Sequence, residues 1–492
     1  MKLLSGHFPS RLIQGLFCCI TIMLNTQAFA GQWPVAGRDP VNAALIEDHS
    51  EALVRWSAKG IEDAVLINID THDDLRWIAP GKIEALKAIA GKKDWQAMRE
   101  VDSAGEEGLY HPGSFLYAAC ALNMFRQIFW VIPFSYFQAQ DREGKLKSFL
   151  AGYGFPQESI DTFRMHEGCF KGNYAGVDLL LCGMEHLPEI DGPVVLSIDA
   201  DFLPVFADWY GWNMLYSMHV LFKRIAQQEY LVQDAVVAYS VNGGFLSAVR
   251  RWVGDDCREI LGRPELISGP YPEIRLVHGT ADRCYMEGRA GEELDLAGRY
   301  LKKYPEDLCL MTYQAFALLA KGQYSDAFDL VQSACLVDRM YAHAMADMGQ
   351  ILLDRGDMDE AMKFFLAAYE LNPQMNYRQK NLADALMASS RYSEALYYYD
   401  RYRRMNGPFP AVFLMGEICS RLGEDKKAQM WFEQGIESLG HQRYMSECCR
   451  TDAEAIKKAV CFLRKKGLHE KAEFMGTHPF LKKFLETQAM EQ

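Results

Sequence analysis

The sequence lacks a long run of basic residues. Its 492 residues include 52 lysines and arginines against 65 aspartates and glutamates, which gives a formal net charge of −13 at pH 7. Proteins that bind nucleic acid concentrate positive charge on one face to contact phosphates. Neither such a concentration nor an RNA-binding signature is present, so we expect no nucleic acid partner.

Regularly spaced cysteine pairs are also missing. The chain has 13 cysteines, but they do not show the repeated short spacing of a zinc module. One or two disulfides can form in an oxidising compartment, because Cys169 lies near Cys182 and Cys448 is adjacent to Cys449. We expect most of the other cysteines to be buried thiols in helix cores.

After the N-terminus, no further run of residues is a candidate membrane span. Near the start, Lys2 and Arg11 precede the apolar stretch LIQGLFCCITIML, and Ala28 and Ala30 form a small-x-small cleavage site. A comfortable membrane span needs about 20 apolar residues, and this stretch is shorter. The pattern predicts a signal peptide over residues 1–30 and an exported protein, periplasmic or secreted. The alternative is an uncleaved N-terminal anchor.

Residues 31–275 alternate short apolar runs with longer amphipathic stretches. Continuous apolar strands separated by helix-like segments such as GKIEALKAIAG indicate an α/β domain, a mostly parallel sheet with helices on both faces. Ligands of such sheets bind beyond the carboxyl ends of the strands. The runs are AVLINID (64–70), IFWVIP (128–133), VDLLLCG (177–183), VVLSIDAD (194–201) and AVVAYSV (235–241).

Residues 285–475 show a helical pattern only, and within it a repeat. Three columns of residues recur at intervals of 34, 34 and 33 positions. The first column holds small residues, the second lies twelve positions earlier, and the third lies four positions later. In that order they are Ala327, Ala361, Ala395 and Ala428; Ala315, Gly349, Ala383 and Gly416; and Val331, Phe365, Tyr399 and Phe432.

Small residues where paired helices approach, followed by a larger apolar residue one turn later, resemble the tetratricopeptide family. Its unit is a helix-turn-helix repeat of about 34 residues, and the resemblance covers roughly residues 308–441. Turn residues fall at matching places, and the flanking segments LDLAGRYLKKYPED and GLHEKAEFM are interpreted as degenerate or capping repeats. The resemblance implies an all-α solenoid that binds a protein or peptide partner. The turn residues are Gly322, Gly356, Ser390 and Gly423.

Four ionisable residues follow one of the predicted strands, in the stretch INIDTHDDL. If the extended geometry continues, Asp70, His72 and Asp74 lie on one side of the chain and Asp73 on the other. Three such side chains on one face repel one another unless a cation lies between them, so they are candidate ligands of a divalent metal. The alternative is a solvated polar loop.

A second acid pair ends another predicted strand. Asp199 and Asp201 lie two positions apart in LSIDADFL, and His49 in EDHS precedes both motifs. Taken singly, the acids are ordinary turn formers and the segment around His49 is the first turn of a helix. Together the motifs provide oxygen and nitrogen ligands without a thiolate, a set that suits Mn²⁺ or a similar cation.

These motifs resemble, in the same chain order, the ligand motifs of the arginase and agmatinase (ureohydrolase) superfamily. DTHDD matches its D-x-H-x-D, SIDAD its S-x-D-x-D, and EDHS its G-G-D-H-S. The resemblance implies an arginase-like fold, two divalent metal ions of the Mn²⁺ type, and hydrolysis of a C–N bond in an amidine, guanidine or amide. It implies one metal on His49, Asp70, Asp74 and Asp199, and the other on Asp70, His72, Asp199 and Asp201.

The segment LYHPGSFLYAA is similar to the ureohydrolase segment whose histidine shuttles a proton, so His111 is the candidate catalytic residue; a structural histidine is the alternative. Two departures concern the substrate. Pro204 stands where the family has an acid, and no guanidinium-binding glutamate can be placed, since the surroundings of Glu265 do not match. We therefore expect little or no arginine turnover.

LSIDADFLP and IFWVIP together resemble an uncharacterised arginase-like family. This resemblance implies the metal site and a small-molecule substrate, but it does not identify that substrate. The competing interpretation of the whole chain is a non-catalytic scaffold. Such a protein would keep a metal for stability and act through its repeats.

Overall fold

The computed structural model describes residues 40–105, 107–375, 378–439 and 450–478, and residue 481. The expected signal peptide over residues 1–30, and Cys448 and Cys449, lie outside these residues. Among the helices of the described ranges, none is long and apolar enough to span a lipid bilayer.

Eight strands form a single sheet with the order β1-β8-β7-β2-β3-β6-β5-β4. Neighbouring strands from β1 to β6 in that order are parallel, whereas the last two pairs are antiparallel. The strands are β1 (Ala44–Ile46), β2 (Ala64–Ile69), β3 (Phe125–Ile132), β4 (Arg164–His166), β5 (Cys169–Tyr174), β6 (Val177–Gly183), β7 (Pro193–Asp199) and β8 (Leu231–Ala238).

The sequence predicted the five longer parallel strands and missed β1, β4 and β5. The five are continuous apolar runs because both faces of the sheet are covered, and every residue of β2 is buried. β1 and β4 have three residues each and lie at the two edges, where length and periodicity give little signal. The prediction of a mostly parallel sheet needs one correction, since β4 and β5 add an antiparallel edge to β6.

Helices cover both faces of the sheet. Along β2, Val65, Ile67 and Ile69 belong to one hydrophobic core and Ala64 and Leu66 to the other, as alternation along a strand requires. Helices α1 to α6 pack on the face of Leu66, and α7 to α9 on the face of Ile67. The helices are α1 (Glu51–Lys59), α2 (Pro80–Gly91), α3 (Trp95–Glu100), α4 (Phe115–Ala121), α5 (Arg142–Gly152), α6 (Gln157–Ile160), α7 (Phe202–Tyr210), α8 (Met214–Gln227) and α9 (Trp252–Gly262).

One disulfide joins Cys169 of β5 to Cys182 of β6, with an S–S distance of 2.02 Å. It is one of the two pairings that the sequence suggested. Of the described free cysteines, Cys461 is exposed and the others are buried, in agreement with the expectation of buried thiols.

The rest of the described chain is helical and forms a solenoid of successive helix pairs. The helices are α10 (Glu273–Met286), α11 (Ala290–Tyr300), α12 (Leu308–Ala320), α13 (Tyr324–Val337), α14 (Ala342–Arg355), α15 (Met358–Leu371), α16 (Arg378–Ala388), α17 (Tyr392–Asn406), α18 (Ala411–Arg421), α19 (Asp425–Leu439), α20 (Arg450–Lys465) and α21 (His469–Thr477). The flanking segments that the sequence assigned to capping repeats thus lie in helix pairs α10–α11 and α20–α21.

The three predicted columns meet inside the helix pairs. Side chains of the first and third columns are all buried. A Cβ added to Gly349 would lie 3.1 Å from the Phe365 ring, and one added to Gly416 would lie 2.4 Å from the Phe432 ring. Small residues are therefore required where the larger side chain of the same repeat packs.

The turn residues are explained by backbone geometry. The φ angles are 79° at Gly322, 88° at Gly356, 57° at Ser390 and 75° at Gly423. Each residue lies between the two helices of a pair, where a left-handed residue ends the first helix. Glycine adopts this conformation without the steric cost that a side chain brings.

The solenoid shares the core on the α7–α9 face of the sheet. Arg250 donates from Nε to Asp282 Oδ1 of α10 over 2.6 Å, and both side chains are buried. Trp252 donates from Nε1 to the hydroxyl of Tyr313 in α12 over 3.1 Å. These contacts fix the first helix pairs against the sheet.

Candidate metal centre

The candidate ligands lie at one edge of the sheet, beyond the carboxyl ends of three parallel strands. β1 leads to His49, β2 to Asp70, and β7 ends at Asp199. β2 and β7 are neighbours with Ile69 paired to Ile198, so Asp70 and Asp199 leave the sheet at the same level. All six residues predicted as ligands come together here.

His49 contacts three of the carboxylates. Its Nδ1 lies 3.0 Å from Asp70 Oδ2, 3.2 Å from Asp74 Oδ2 and 3.3 Å from Asp199 Oδ2. Its other ring nitrogen, Nε2, lies 2.6 Å from Ser197 Oγ, which fixes the orientation of the ring. His49, Asp70 and Asp74 thereby form a triad whose ligand atoms lie close enough to share one ion.

His72 forms a second triad with Asp70 and Asp201. Its Nδ1 lies 3.0 Å from Asp201 Oδ2 and 3.6 Å from Asp70 Oδ1. The ring packs against Phe245 with 4.6 Å between the centroids. The two triads share Asp70, as the resemblance to ureohydrolases implies for a bridging carboxylate, while Asp199 belongs to neither triad and reaches the cluster through His49.

Hydrogen bonds hold the carboxylates in place. The backbone N–H of His72 donates to Asp70 Oδ1 over 2.7 Å, and that of Asp201 donates to Asp199 Oδ1 over 3.0 Å. Ser240 donates from its hydroxyl to Asp199 Oδ2 over 2.6 Å. These bonds orient the ligand oxygens before any ion binds.

The loop after β2 reaches the cluster by a different geometry from the one expected. The strand ends at Ile69, and Asp74 has a φ of 50°, so the chain is not extended from Asp70 to Asp74. The loop is fastened by Leu116, whose N–H donates to the carbonyl of Asp74 over 3.0 Å. The side chains of Asp70, His72 and Asp74 thus come close together through a loop, whereas the expected alternation along an extended strand is wrong.

Charge and burial couple the protonation states of the residues in the cluster. Five of the six residues are buried, and His72 retains 24% exposure of its side chain. Burial, and then the Asp199 carboxylate, raise the pKa of Asp201 to about 7, and burial with the Asp70 carboxylate raises the pKa of Asp74. Buried like charges at this distance are unfavourable unless an opposite charge compensates them. In the absence of an ion the imidazoles supply that charge: burial opposes their protonation, but the carboxylates outweigh it and raise the pKa of His49 and of His72 well above the usual value.

Three buried polar atoms of the cluster form no well-aligned hydrogen bond, although two of them, Nδ1 of His49 and Oδ2 of Asp201, make the close contacts of 3.0 Å described above. They are Nδ1 of His49 and both carboxylate oxygens of Asp201. Buried polar groups in proteins are nearly always satisfied, so such atoms require an explanation. Nitrogen and carboxylate oxygen are ligands that Mn²⁺ and similar cations accept, and the residues present therefore fit a divalent metal.

His111 lies on the loop before α4 and lines the same cavity as the cluster. The N–H of Gly113 donates to its Nδ1 over 3.2 Å. Burial, together with the charges of Arg76 and Lys82, lowers the pKa of His111 to about 3, so its imidazole is neutral at neutral pH.

The remaining residues singled out in the sequence belong to neither triad. Asp73 is buried but belongs to neither triad, as expected. Pro204 occupies the first turn of α7, where a missing N–H costs little. Glu265 is exposed on a short helical turn and does not line the cavity.

Ser197 and Ser240 received no role from the sequence. Ser197 precedes Asp199 by two positions, so both side chains point to the same side of β7. The alternation of side chains along a strand could therefore have identified Ser197 from the sequence. Ser240 follows β8, which lies next to β7, and has a φ of 54°. Its position depends on strand order, which the sequence does not reveal.

The cavity has a volume of about 720 Å³. Beside His111 it is lined by ligand residues of both triads and by residues of the solenoid. From the solenoid these are Tyr402, Asn406, Phe409 and Pro410.

Comparison with known proteins concerns the helical region. A family model described as Tetratricopeptide repeat matches residues 314–376, from within α12 to just beyond α15. The solenoid contains tetratricopeptide repeats. This agrees with the buried columns and the left-handed turns of the described helix pairs, and it confirms that part of the sequence interpretation.

Several proteins resemble this chain over a limited length. Superkiller complex protein 3 of Mus musculus is 32% identical over 126 residues, which cover 24% of this chain and 8% of that protein. The crystal structure of MamA is 15% identical, covers 36% of this chain and 96% of its own, and has a TM-score of 0.29. YrrB is described as a TPR protein with an unusual peptide-binding site. It is 20% identical, the match covers 40% of this chain and 98% of the YrrB chain, and the TM-score is 0.28.

Proposed function

We propose that the protein binds a protein or peptide segment through its tetratricopeptide repeats. The family match supports this proposal, because stacked repeats of this kind present extended surfaces for partners. Two adjacent side chains at the end of α13 add to it. Leu336 is 75% exposed and Val337 is 74% exposed, more than any other large hydrophobic side chain of the described residues. Adjacent exposed apolar groups are typical of contact sites.

The test is peptide binding by the full-length protein. A peptide selected on an array is titrated in a calorimeter against wild type and a variant carrying Leu336→Ser and Val337→Ser. Loss of two apolar contacts should weaken binding about tenfold or more. The matched control is Leu231→Ser, since Leu231 is 66% exposed at the start of β8. Equal affinities of the double variant and wild type would contradict this contact site.

A second function is supported by the two buried triads of the cluster and their poorly aligned polar atoms. We propose that the sheet region is an arginase-like domain that binds two divalent cations of the Mn²⁺ type and hydrolyses a C–N bond. The cations would be held by the six residues of the cluster, with Asp70 and Asp199 between them. Such a pair of ions lowers the pKa of water and polarises the group under attack.

The residues of the chain would support this chemistry in distinct ways. Ser240 and two backbone N–H groups orient Asp70 and Asp199, the carboxylates that would lie between the ions. Because Nδ1 of His111 accepts a hydrogen bond, the neutral ring carries its proton on Nε2. His111 can therefore donate a hydrogen bond from Nε2 to the substrate, but its ring, with a pKa of about 3, holds no second proton for the departing nitrogen at neutral pH, so that proton would come from water.

The substrate class is an amide or amidine rather than a free guanidinium. No residue matches the guanidinium-binding glutamate of the ureohydrolases, and Glu265 lies outside the cavity lining. Of the other acids that line the cavity, Glu51 already accepts hydrogen bonds from two backbone N–H groups, and burial raises the pKa of Asp48 to about 7 and that of Asp102 to about 8. A buried guanidinium without a carboxylate partner binds poorly. Arginine turnover by Mn²⁺-loaded protein should therefore be weak or absent.

Metal stoichiometry tests this proposal directly. After incubation with Mn²⁺ and desalting, elemental analysis should give about two equivalents for wild type. Asp70→Asn should lose metal because both triads share Asp70, whereas Asp73→Asn should retain it. His111→Ala should keep its metal and lose ammonia release from an amide panel. Equal metal content in Asp70→Asn and wild type would overturn the proposed centre.

A further inference from the structure

The solenoid supplies one wall of the cavity that holds the cluster. Tyr402 and Asn406 come from the last turns of α17, and Phe409 and Pro410 from the connection to α18. His49, His72 and His111 line the same cavity from the sheet region. The repeats therefore contribute to the surroundings of the cluster as well as to a surface for partners.

Direct contacts keep this wall in position. Ser103 donates from its hydroxyl to the carbonyl of Met405 over 3.2 Å. A Cβ added to Gly105 would lie 1.8 Å from the carbonyl oxygen of Arg404, so only glycine fits there. Gly407 has a φ of 88°, and a Cβ on it would lie 3.4 Å from the carbonyl of Ala104.

A second connection lies beside the loop of His49. Arg251 forms ion pairs with Glu47 and, over 3.6 Å, with Asp338 in the connection after α13. Glu47 also accepts hydrogen bonds from the N–H groups of Val241 and Asn242 over 3.2 and 3.1 Å. The solenoid is thus fastened to the sheet region at two separate places near the cluster.

The chemistry of the wall differs from that of the cluster. The four solenoid residues that line the cavity are two aromatic residues, a proline and an asparagine, and none is charged. Tyr402 and Phe409 are largely buried. A cavity of about 720 Å³ lies in the usual range for drug-sized ligands and exceeds what an amide group alone would fill.

We infer that the α17–α18 segment is a specificity-determining surface for the ligand at the metal centre. The ligand is a small molecule whose amide or amidine group lies at the cations and whose uncharged aromatic or aliphatic substituent packs on Tyr402 and Phe409. This inference rests on the proposed metal centre. It gives the repeats a second role, in substrate selection.

Hydroxamates test this inference without catalysis, because the head group binds divalent metals and the tail can be varied. Acetohydroxamate and phenylbutyrohydroxamate are titrated by calorimetry into Mn²⁺-loaded full-length protein. The aromatic tail should raise the affinity of wild type about tenfold or more. Phe409→Ala should reduce this ratio of affinities to about threefold or less. Tyr397→Ala is the control, since Tyr397 lies on α17 and is exposed.

Two further variants sharpen the result. Gly105→Ala should shift the wall and reduce the same ratio, whereas Gly91→Ala, with open space around its added Cβ, should not. Asn406→Asp should weaken phenylbutyrohydroxamate and strengthen aminohexanohydroxamate, because it places a negative charge on the wall. Elemental analysis of each variant reports whether the metal centre is retained.

The outcomes separate the two proposals. Tight binding of acetohydroxamate without any gain from the aromatic tail would overturn the specificity surface and leave the metal centre standing. A tail effect that survives both Phe409→Ala and Gly105→Ala would do the same. Absence of metal in wild type, with no binding of either hydroxamate, would overturn the proposed centre and the inference together.

Discussion

The solenoid is built from contacts between residues close together in the chain, whereas the cluster in the sheet region is built from residues far apart in it. In the solenoid each repeat is a local unit, so Ala327, Ala361 and Ala395 recur at regular intervals and are all fully buried. In the sheet region the cluster joins His49 to Asp201 through strands that are neighbours only in the folded sheet. A local unit can be recognised from spacing alone, whereas a convergent site also needs the order of the strands.

Ala361→Trp should give the largest change, because it tests the packing of a repeat. Ala361 is fully buried in α15, and a large ring would force the helices of its pair apart. We expect a loss of about 3 kcal/mol in the free energy of unfolding of the solenoid, measured by urea denaturation. Lys363→Trp on the same helix, where the side chain is 46% exposed, should change it by less than about 0.5 kcal/mol. An unchanged transition in Ala361→Trp would show that the repeat alignment is wrong.

Metal addition should stabilise the sheet region together with the first helix pairs that share its core, and leave the later repeats largely unaffected. A ligand that binds only the folded state at about 100 times its Kd adds about 2.7 kcal/mol. Calorimetry with Mn²⁺ and with chelator should show this as a rise in melting temperature. Asp199→Asn should remove most of the rise, and its metal-free form should melt no lower than metal-free wild type, because one of the crowded carboxylates is gone. A rise of equal size in wild type and Asp199→Asn would exclude binding at this cluster.

Glycine substitutions should give the smallest effects and differ in sign between the two regions. Gly356 has a φ of 88° in a solenoid turn, so Gly356→Ala should cost about 1 kcal/mol. Gly91 ends α2 and has open space around an added Cβ, so Gly91→Ala should stabilise by about 0.5 kcal/mol. Denaturant midpoints of the two variants provide the comparison. A stabilising Gly356→Ala would contradict the left-handed turn.

The sequence anticipated more of the solenoid than of the sheet. The columns and the turns, including Ser390 in place of glycine, follow from steric needs that recur in every repeat. The five longer parallel strands were recognisable because both of their faces are buried. β1 and β4 were missed because strands of three residues at the edges carry little periodicity. β5, which lies between β6 and β4, was missed because it is not a continuous apolar run, and the antiparallel pairing follows from contacts that no local pattern encodes.

For the candidate site, the sequence supplied the residue types, and the fold supplied their relation to one another. Asp70, His72 and Asp74 were grouped correctly, but alternation along a strand was the wrong reason, since Asp74 reaches His49 through a loop with a φ of 50°. Ser240 was not anticipated, because it contacts Asp199 only when β8 lies beside β7.

The sequence by itself determined the repeat period and the presence of aspartate and histidine residues at the strand ends. Both can be read from the sequence because they depend on residues close together in the chain. Only the tertiary structure decided that His49 meets Asp70 and Asp199, and that Tyr402 and Phe409 line the cavity of the same cluster. These contacts join residues far apart in the chain. They depend on strand order and on the contact of Ser103 and Gly105 with the end of α17. At Gly105 the backbones of the two regions lie so close that no side chain fits between them.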